Sequence, residues 1–203
     1  MKISSDELDY SAGYRLLIGA IVPRPIAWIS TRSTAGVVNV APFSAFTMVS
    51  SEPPMVGFTV SRRGGEYKDT ARNIHETGEY IIHIADAGLV NAVHASADVF
   101  PRDVSEVEVL GLAIEPGDVV SVPRIAAAPV ALECNFVQHV TFGRRGSEFM
   151  VGEVKMFHVR DDLITNGKID TMSLNPVCRL AGPIYATIGT TIPKPPHATR
   201  SDF

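Results

Sequence analysis

The chain has 203 residues, 45% of them hydrophobic and 20% charged, and a net charge of −4. That balance excludes a disordered chain and allows one sizeable buried core. The acidic excess removes any global attraction to nucleic acid or to an anionic membrane, so basic clusters must act locally.

The N-terminal stretch MKISSDELDYSAGYRLLIGAIV is interrupted by acids before its apolar part and has no cleavage-site pattern, and no run reaches the length of a membrane span. A cytoplasmic protein is expected. Tyr10–Ala20 is the first helix predicted. Short β-branched and aromatic runs follow at 21–31, 37–40, 43–49 and 55–61, with Pro23 and Pro25 placing an irregular or edge start on the first. Asp69–Thr77 is the best helical candidate: Asp69 or Thr70 can cap it, Ala71 and Ile74 make an inner face, and Gly78 stops it. Another strand is predicted over 80–85, and Asp86 can cap a helix running through Ala97. In SEVEV the acids Glu106 and Glu108 alternate as on a half-solvated strand and receive no role. Strands are predicted over 119–122, 130–142 and 148–160, the last two flanking GRRGS, a good hairpin turn. The expectation is a mainly β protein, a β-barrel with peripheral helices, forming a single domain over 1–203 with a proline-rich arm at 192–203.

Cys134 and Cys178 lie far apart without CxxC spacing, which leaves a disulfide open but does not make a secreted scaffold. GxGxxG, Walker A and GxSxG sequences are absent, and His75-Glu76 is not followed by the second histidine of a zincin, so no metal site is expected.

Two segments carry the candidate chemistry. RRGGEYKDTARNI at 62–74 brings Arg62, Arg63 and Lys68, with the Thr70 hydroxyl, to the start of a predicted helix, where amides and cations together suit a phosphate. Asp69 counts against an anion unless its carboxylate is used in capping. Upstream, Ser30, Thr31, Asn39 and Ser44 offer donors and acceptors for the edge of a flat ring, and Ala41 and Pro42 allow close backbone approach. A plainer reading also stands: a solvated basic loop, and Asn39 with Gly36 in a hairpin turn. Trp28 is explained by core packing.

These segments also carry a resemblance. RPIAWISTRSTAGVVNVAPFSAF from Arg24, then SSEPPMVGFTVSRR, KDTARNI, GEYIIHIA, SEVEVLGL, PVALEC, GEVKMFHV and PVCRLAGPIY, in this order, resembles the flavin reductase-like family with the FMN-binding split-barrel fold. The likeness covers nearly the whole chain apart from its two ends. It implies a homodimer with one FMN per subunit, reduced by NADH or NADPH and serving an acceptor such as a partner monooxygenase. It also leaves room for a non-catalytic electron carrier of the flavoredoxin kind, or an FMN-dependent oxygenase acting directly on an organic substrate. Position by position, Ser30, Thr31, Asn39, Ala41, Pro42 and Ser44 match the segment lining the ring and ribityl chain. Arg62, Lys68, Asp69 and Thr70 match the phosphate segment, and Arg179 and Tyr185 match a C-terminal segment, here RLAGPIY. No catalytic side chain is assigned.

Overall fold

The structure is a computed structural model that describes residues 1–193, so most of the proline-rich arm lies outside the described residues. Seven strands form one antiparallel sheet: β1 (Ala27–Arg32), β2 (Val38–Phe43), β3 (Phe46–Ser51), β4 (Pro54–Val60), β5 (Glu79–Ile84), β6 (Val130–Phe142) and β7 (Ser147–Val159). Their order across the sheet is β2-β1-β5-β6-β7-β4-β3. The chain runs directly from one edge strand, β2, to the other, β3, and Thr59 N–H donates to Ala45 O there at 2.8 Å. The sheet therefore curls into a barrel whose seam is closed by chain instead of by a strand ladder. This seam also breaks the single run expected over 43–49 into two elements.

Both faces of β1 are covered, which explains the unbroken apolar run over 26–29 at its start and the full burial of Ser30 and Thr31 after it. Ala27 and Ile29 belong to the barrel interior with Phe58, Tyr80 and Met150. Trp28 belongs to an outer layer with Val93, Val107 and Ile125, and its indole Nε1 donates to the buried Ser96 hydroxyl at 2.9 Å. Packing accounts for the single tryptophan, as expected. The Tyr80 phenol on β5 reaches past β6 to β7, where Gly152 leaves room for it; a Cβ at this position would clash with its oxygen.

Helix α1 (Tyr10–Ala20) is capped by Asp9, whose carboxylate accepts from Ala12 N, yet it buries none of its residues. Helix α2 (Asp69–Thr77) is laid against the barrel by Ala71 and Ile74 and ends at Gly78 in the left-handed region, φ 74°. Its N-cap is Lys68, not Asp69 or Thr70, and no side chain caps it. The stretch expected as one helix after Asp86 divides into a 3₁₀ turn at Ala87–Leu89 and the helix α3 (Val90–Ala95).

Two other expectations are corrected. SEVEV is not a strand but the short helix α4 (Glu106–Val109), started by Ser105, whose hydroxyl accepts from Glu108 N. Residues 119–122 form a loop because the amides of Asp118, Val119 and Val120 are taken by the buried Glu133 carboxylate on β6. A last helix, α5 (Thr171–Leu174), follows β7, and the turn at 143–146 joins β6 to β7 as expected. Both cysteines are free thiols, which closes the disulfide question. Among the described residues no helix is long and apolar enough to cross a membrane.

Candidate functional site

Strand β2, the loop before α2 and the first turn of α2 converge on a cavity of about 250 Å³. Asn39, Ala41, Pro42, Lys68, Asp69 and Thr70 all line it. A second cavity of about 190 Å³ takes Ser44, Arg179 and Tyr185 into its wall. Pro42 and Ala97 border both, so the two are lobes of one cleft. Their joint size falls in the range of small-molecule sites, roughly 300–1,000 Å³.

The first lobe has the features of an anion site. Burial holds the Lys68 ammonium below its ordinary pKa, and the nearby Arg63 charge lowers it further. Its Nζ lies 5.8 Å from the centre of the Phe43 ring. Neither Lys68 nor Arg63 has an ion-pair partner among the described residues. The uncapped N-terminus of α2 adds backbone donors at the same wall. Glu66, Asp69, Asp98 and Glu106 also line this lobe. Net charge therefore cannot attract the anion; local donors must.

Behind the wall runs a buried polar chain. Asn39 Oδ1 accepts from the hydroxyls of Thr31 at 3.3 Å and Thr70 at 3.0 Å, and its Nδ2 donates to Glu106 Oε1 at 2.8 Å. The Thr31 hydroxyl accepts from Asn73 Nδ2 at 3.0 Å, and Glu106 Oε2 accepts from Val40 N at 3.3 Å. Thus β1, β2, α2 and α4 are locked together through one asparagine. Burial pushes the Glu106 carboxyl up, and the Asp69 charge adds to the push.

In the second lobe the Arg179 guanidinium lies 4.6 Å from the centre of the Tyr185 ring, and the Tyr185 hydroxyl is 3.0 Å from His94 Nδ1. Arg24 braces this lobe by donating to the carbonyls of Ile18, Ile21 and Leu180.

Of the residues expected at the site, nine line the cleft and Thr31 stands one hydrogen bond behind it. The structure does not bring Ser30 or Arg62 there. Ser30 points to the other face of β1, where its hydroxyl donates to Pro123 O at 2.8 Å. The Arg62 guanidinium is turned toward Glu148, 3.0 Å away, and Arg63 is the arginine that lines the lobe. Asn39 is a buried strand residue and not part of the turn at Ser33–Gly36. Sequence reasoning missed Glu106, although Ser105-Glu106-Val107-Glu108 has capping-box spacing. No sequence pattern marks Arg24 or His94.

Comparison with known proteins identifies the family and the fold. Residues 19–173 match the family model of the flavin reductase like domain. An uncharacterised protein of Halalkalibacterium halodurans is 46% identical over 196 residues, covering 94% of each chain. Among solved structures, nitrilotriacetate monooxygenase component B from Bacillus cereus superposes with a TM-score of 0.93 at 35% identity, covering 96% of this chain and 98% of its own. The 2-nitrobenzoate 2-nitroreductase of Pseudomonas fluorescens superposes with a TM-score of 0.86 at 28% identity, covering 98% of this chain and 100% of its own. The architecture is the FMN-binding split barrel.

Proposed function

The chain belongs to the flavin reductase-like family, and from that premise we propose that it is an FMN-dependent oxidoreductase. In this reading it takes electrons from NADH or NADPH and supplies reduced flavin, or electrons, to an acceptor such as a monooxygenase. One observation carries the cofactor assignment: a cleft with two unpaired cations and an uncapped helix N-terminus in one lobe and an arginine–tyrosine pair in the other. A molecule with a phosphate at one end and a flat polar ring at the other fits that distribution of donors.

Lys68, Arg63, Thr70 and the α2 amides would hold the phosphate by charge-assisted hydrogen bonds. Asn39, with Thr31 behind it, and the backbone at Ala41 and Pro42 would fix the ribityl chain and ring edge, with Ser44, Arg179 and Tyr185 bounding the far lobe. Asp69, which lines the same lobe, would lie where a phosphate is repelled, so the cations and amides must outweigh it. Bound there, a flavin supplies hydride acceptance and one- or two-electron delivery, so the protein needs to position and shield it without supplying an acid or base of its own.

Anaerobic stopped-flow mixing of the flavin-loaded protein with NADH and with NADPH tests the donor. Fast bleaching by one nucleotide is the expected result. A flavin that neither nucleotide bleaches would shift the function to an electron carrier or to direct action on an organic substrate. That last reading has support of its own in the likeness to a nitroreductase. Lys68→Ala is expected to raise the Kd for FMN about 10- to 150-fold, for loss of a charge-assisted contact of about 1.5–3 kcal/mol. An unchanged Kd in a fluorescence titration removes Lys68 from the site.

The same reading makes the protein a cytoplasmic homodimer. The exposed apolar residues Tyr10, Tyr14 and Leu17 of α1 and Met48 and Val49 of β3 supply surface that a second copy would cover.

A further inference from the structure

We propose that His75, His139 and Glu148 form a binding site for a borderline divalent cation such as Zn²⁺, pinning α2 to the β6–β7 hairpin. One donor atom from each residue lies within 4.8 Å of the other two. Glu148 is 1% exposed, and its Oε2 is 2.9 Å from His75 Nε2. Ligand atoms around a tetrahedral zinc, each about 2.0–2.1 Å from the metal, stand roughly 3.3 Å apart. The His75–Glu148 pair is thus nearly at ligand spacing, and the exposed His139 has the freedom to close the remaining distance. Two imidazoles and one carboxylate suit zinc and its neighbours better than magnesium or calcium, which favour all-oxygen sets.

The strand geometry aims His139 at this place. Across β6 and β7, Met150 pairs with His139, Val151 with Gln138 and Gly152 with Phe136, leaving Val137 as an extra residue in a β-bulge. The bulge returns His139 and Phe136, three positions apart, to one face of β6, where their rings stack 6.3 Å apart. His139 thereby meets the His75 ring, 4.9 Å between centres at 76°. Bulges commonly re-aim a side chain in this way. Arg62 completes the arrangement by donating to Glu148 Oε1 at 3.0 Å, an outer hydrogen bond that orients the carboxylate and leaves Oε2 for a cation.

A second cluster of Asp118, Glu133 and His158 has similar spacing but not the same capacity. There three backbone amides occupy both oxygens of Glu133, whereas Glu148 Oε2 has only the proposed ligand His75 as its partner. None of the three proposed ligands lines the cleft. The cation would be structural, and the proposal stands apart from the flavin assignment.

Calorimetric titration of the EDTA-treated full-length protein with ZnCl₂ tests it, beside the His139→Ala and His158→Ala variants. One Zn²⁺ per chain is expected in the parent, weakened at least about tenfold by His139→Ala and unaltered by His158→Ala. Thermal unfolding should show a zinc-dependent rise in the parent that His139→Ala abolishes, the rise being read for each protein against its own midpoint in EDTA because His139→Ala also removes the ring contacts with Phe136 and His75. No binding by the parent, equal binding by His139→Ala, or loss of binding in His158→Ala would each overturn the assignment.

Discussion

Glu106→Ala is expected to lower the unfolding free energy by about 2–6 kcal/mol and to weaken flavin binding at the same time. The substitution strips acceptors from two buried donors, Asn39 Nδ2 and Val40 N–H, and an orphaned buried donor costs about 1–3 kcal/mol. Asn39 would then be held only by the Thr31 and Thr70 hydroxyls and would lose its fixed orientation toward the cleft. Glu106→Gln separates the contributions. Its single carbonyl can serve one of the two donors, so about half of the stability loss should remain. Part of that loss is offset because the glutamine carries no charge to desolvate in the site whose burial raises the Glu106 pKa. Urea unfolding and FMN titration of both variants check the result. If stability falls while FMN affinity holds, the polar chain supports the barrel alone and the cleft does not depend on it.

This chain shows where sequence patterns end. Helix α2 could be read, its stop to the residue, because it is punctuated locally, with Ala71 and Ile74 at helical spacing and Gly78 able to adopt the left-handed stop; its start could not, because no side chain caps it. The β6–β7 hairpin could be read because the Gly143–Gly146 turn separates two long apolar-rich runs. SEVEV misled because strict alternation resembles a strand, while the Ser105 cap and the packing of Val107 under Trp28's layer make it a helix. At the site, residues adjacent in sequence to the cations and hydroxyls were found. Which arginine of the 62–63 pair faces the cleft was not, because Glu148, 86 residues away from Arg62, claims that guanidinium. Partnerships across such distances are created by the barrel's closure and leave no local spacing to read.

Lowering the pH from 7 to 5 is expected to remove about 2 kcal/mol of stability, and about 3 kcal/mol by pH 4, through the buried His83. His83 is fully buried on β5, with Nδ1 2.9 Å from Trp28 O and Nε2 accepting from Ile125 N at 2.9 Å. The accepting role of Nε2 fixes a neutral ring protonated on Nδ1. Burial, aided by the charge of Arg124, lowers its pKa from 6.5 to about 4. A histidine whose folded pKa is depressed contributes stability above the unfolded pKa and loses it as pH falls, so the loss begins near 6.5 and levels off below 4. Glu133 and Glu148 also have depressed carboxyl pKa values, but their losses begin only near the ordinary carboxylate range. Glu106, raised instead, works in the opposite direction and regains stability on acidification. Protonation sets an imidazolium N–H against the Ile125 amide, so the Arg124–Ile125 segment should detach before the barrel. Urea unfolding between pH 7 and 4, with amide exchange at Ile125, checks both the magnitude and the order. A flat stability profile down to pH 5 would mean that the ring finds a charged-state partner, and would remove His83 as the acid-sensitive latch.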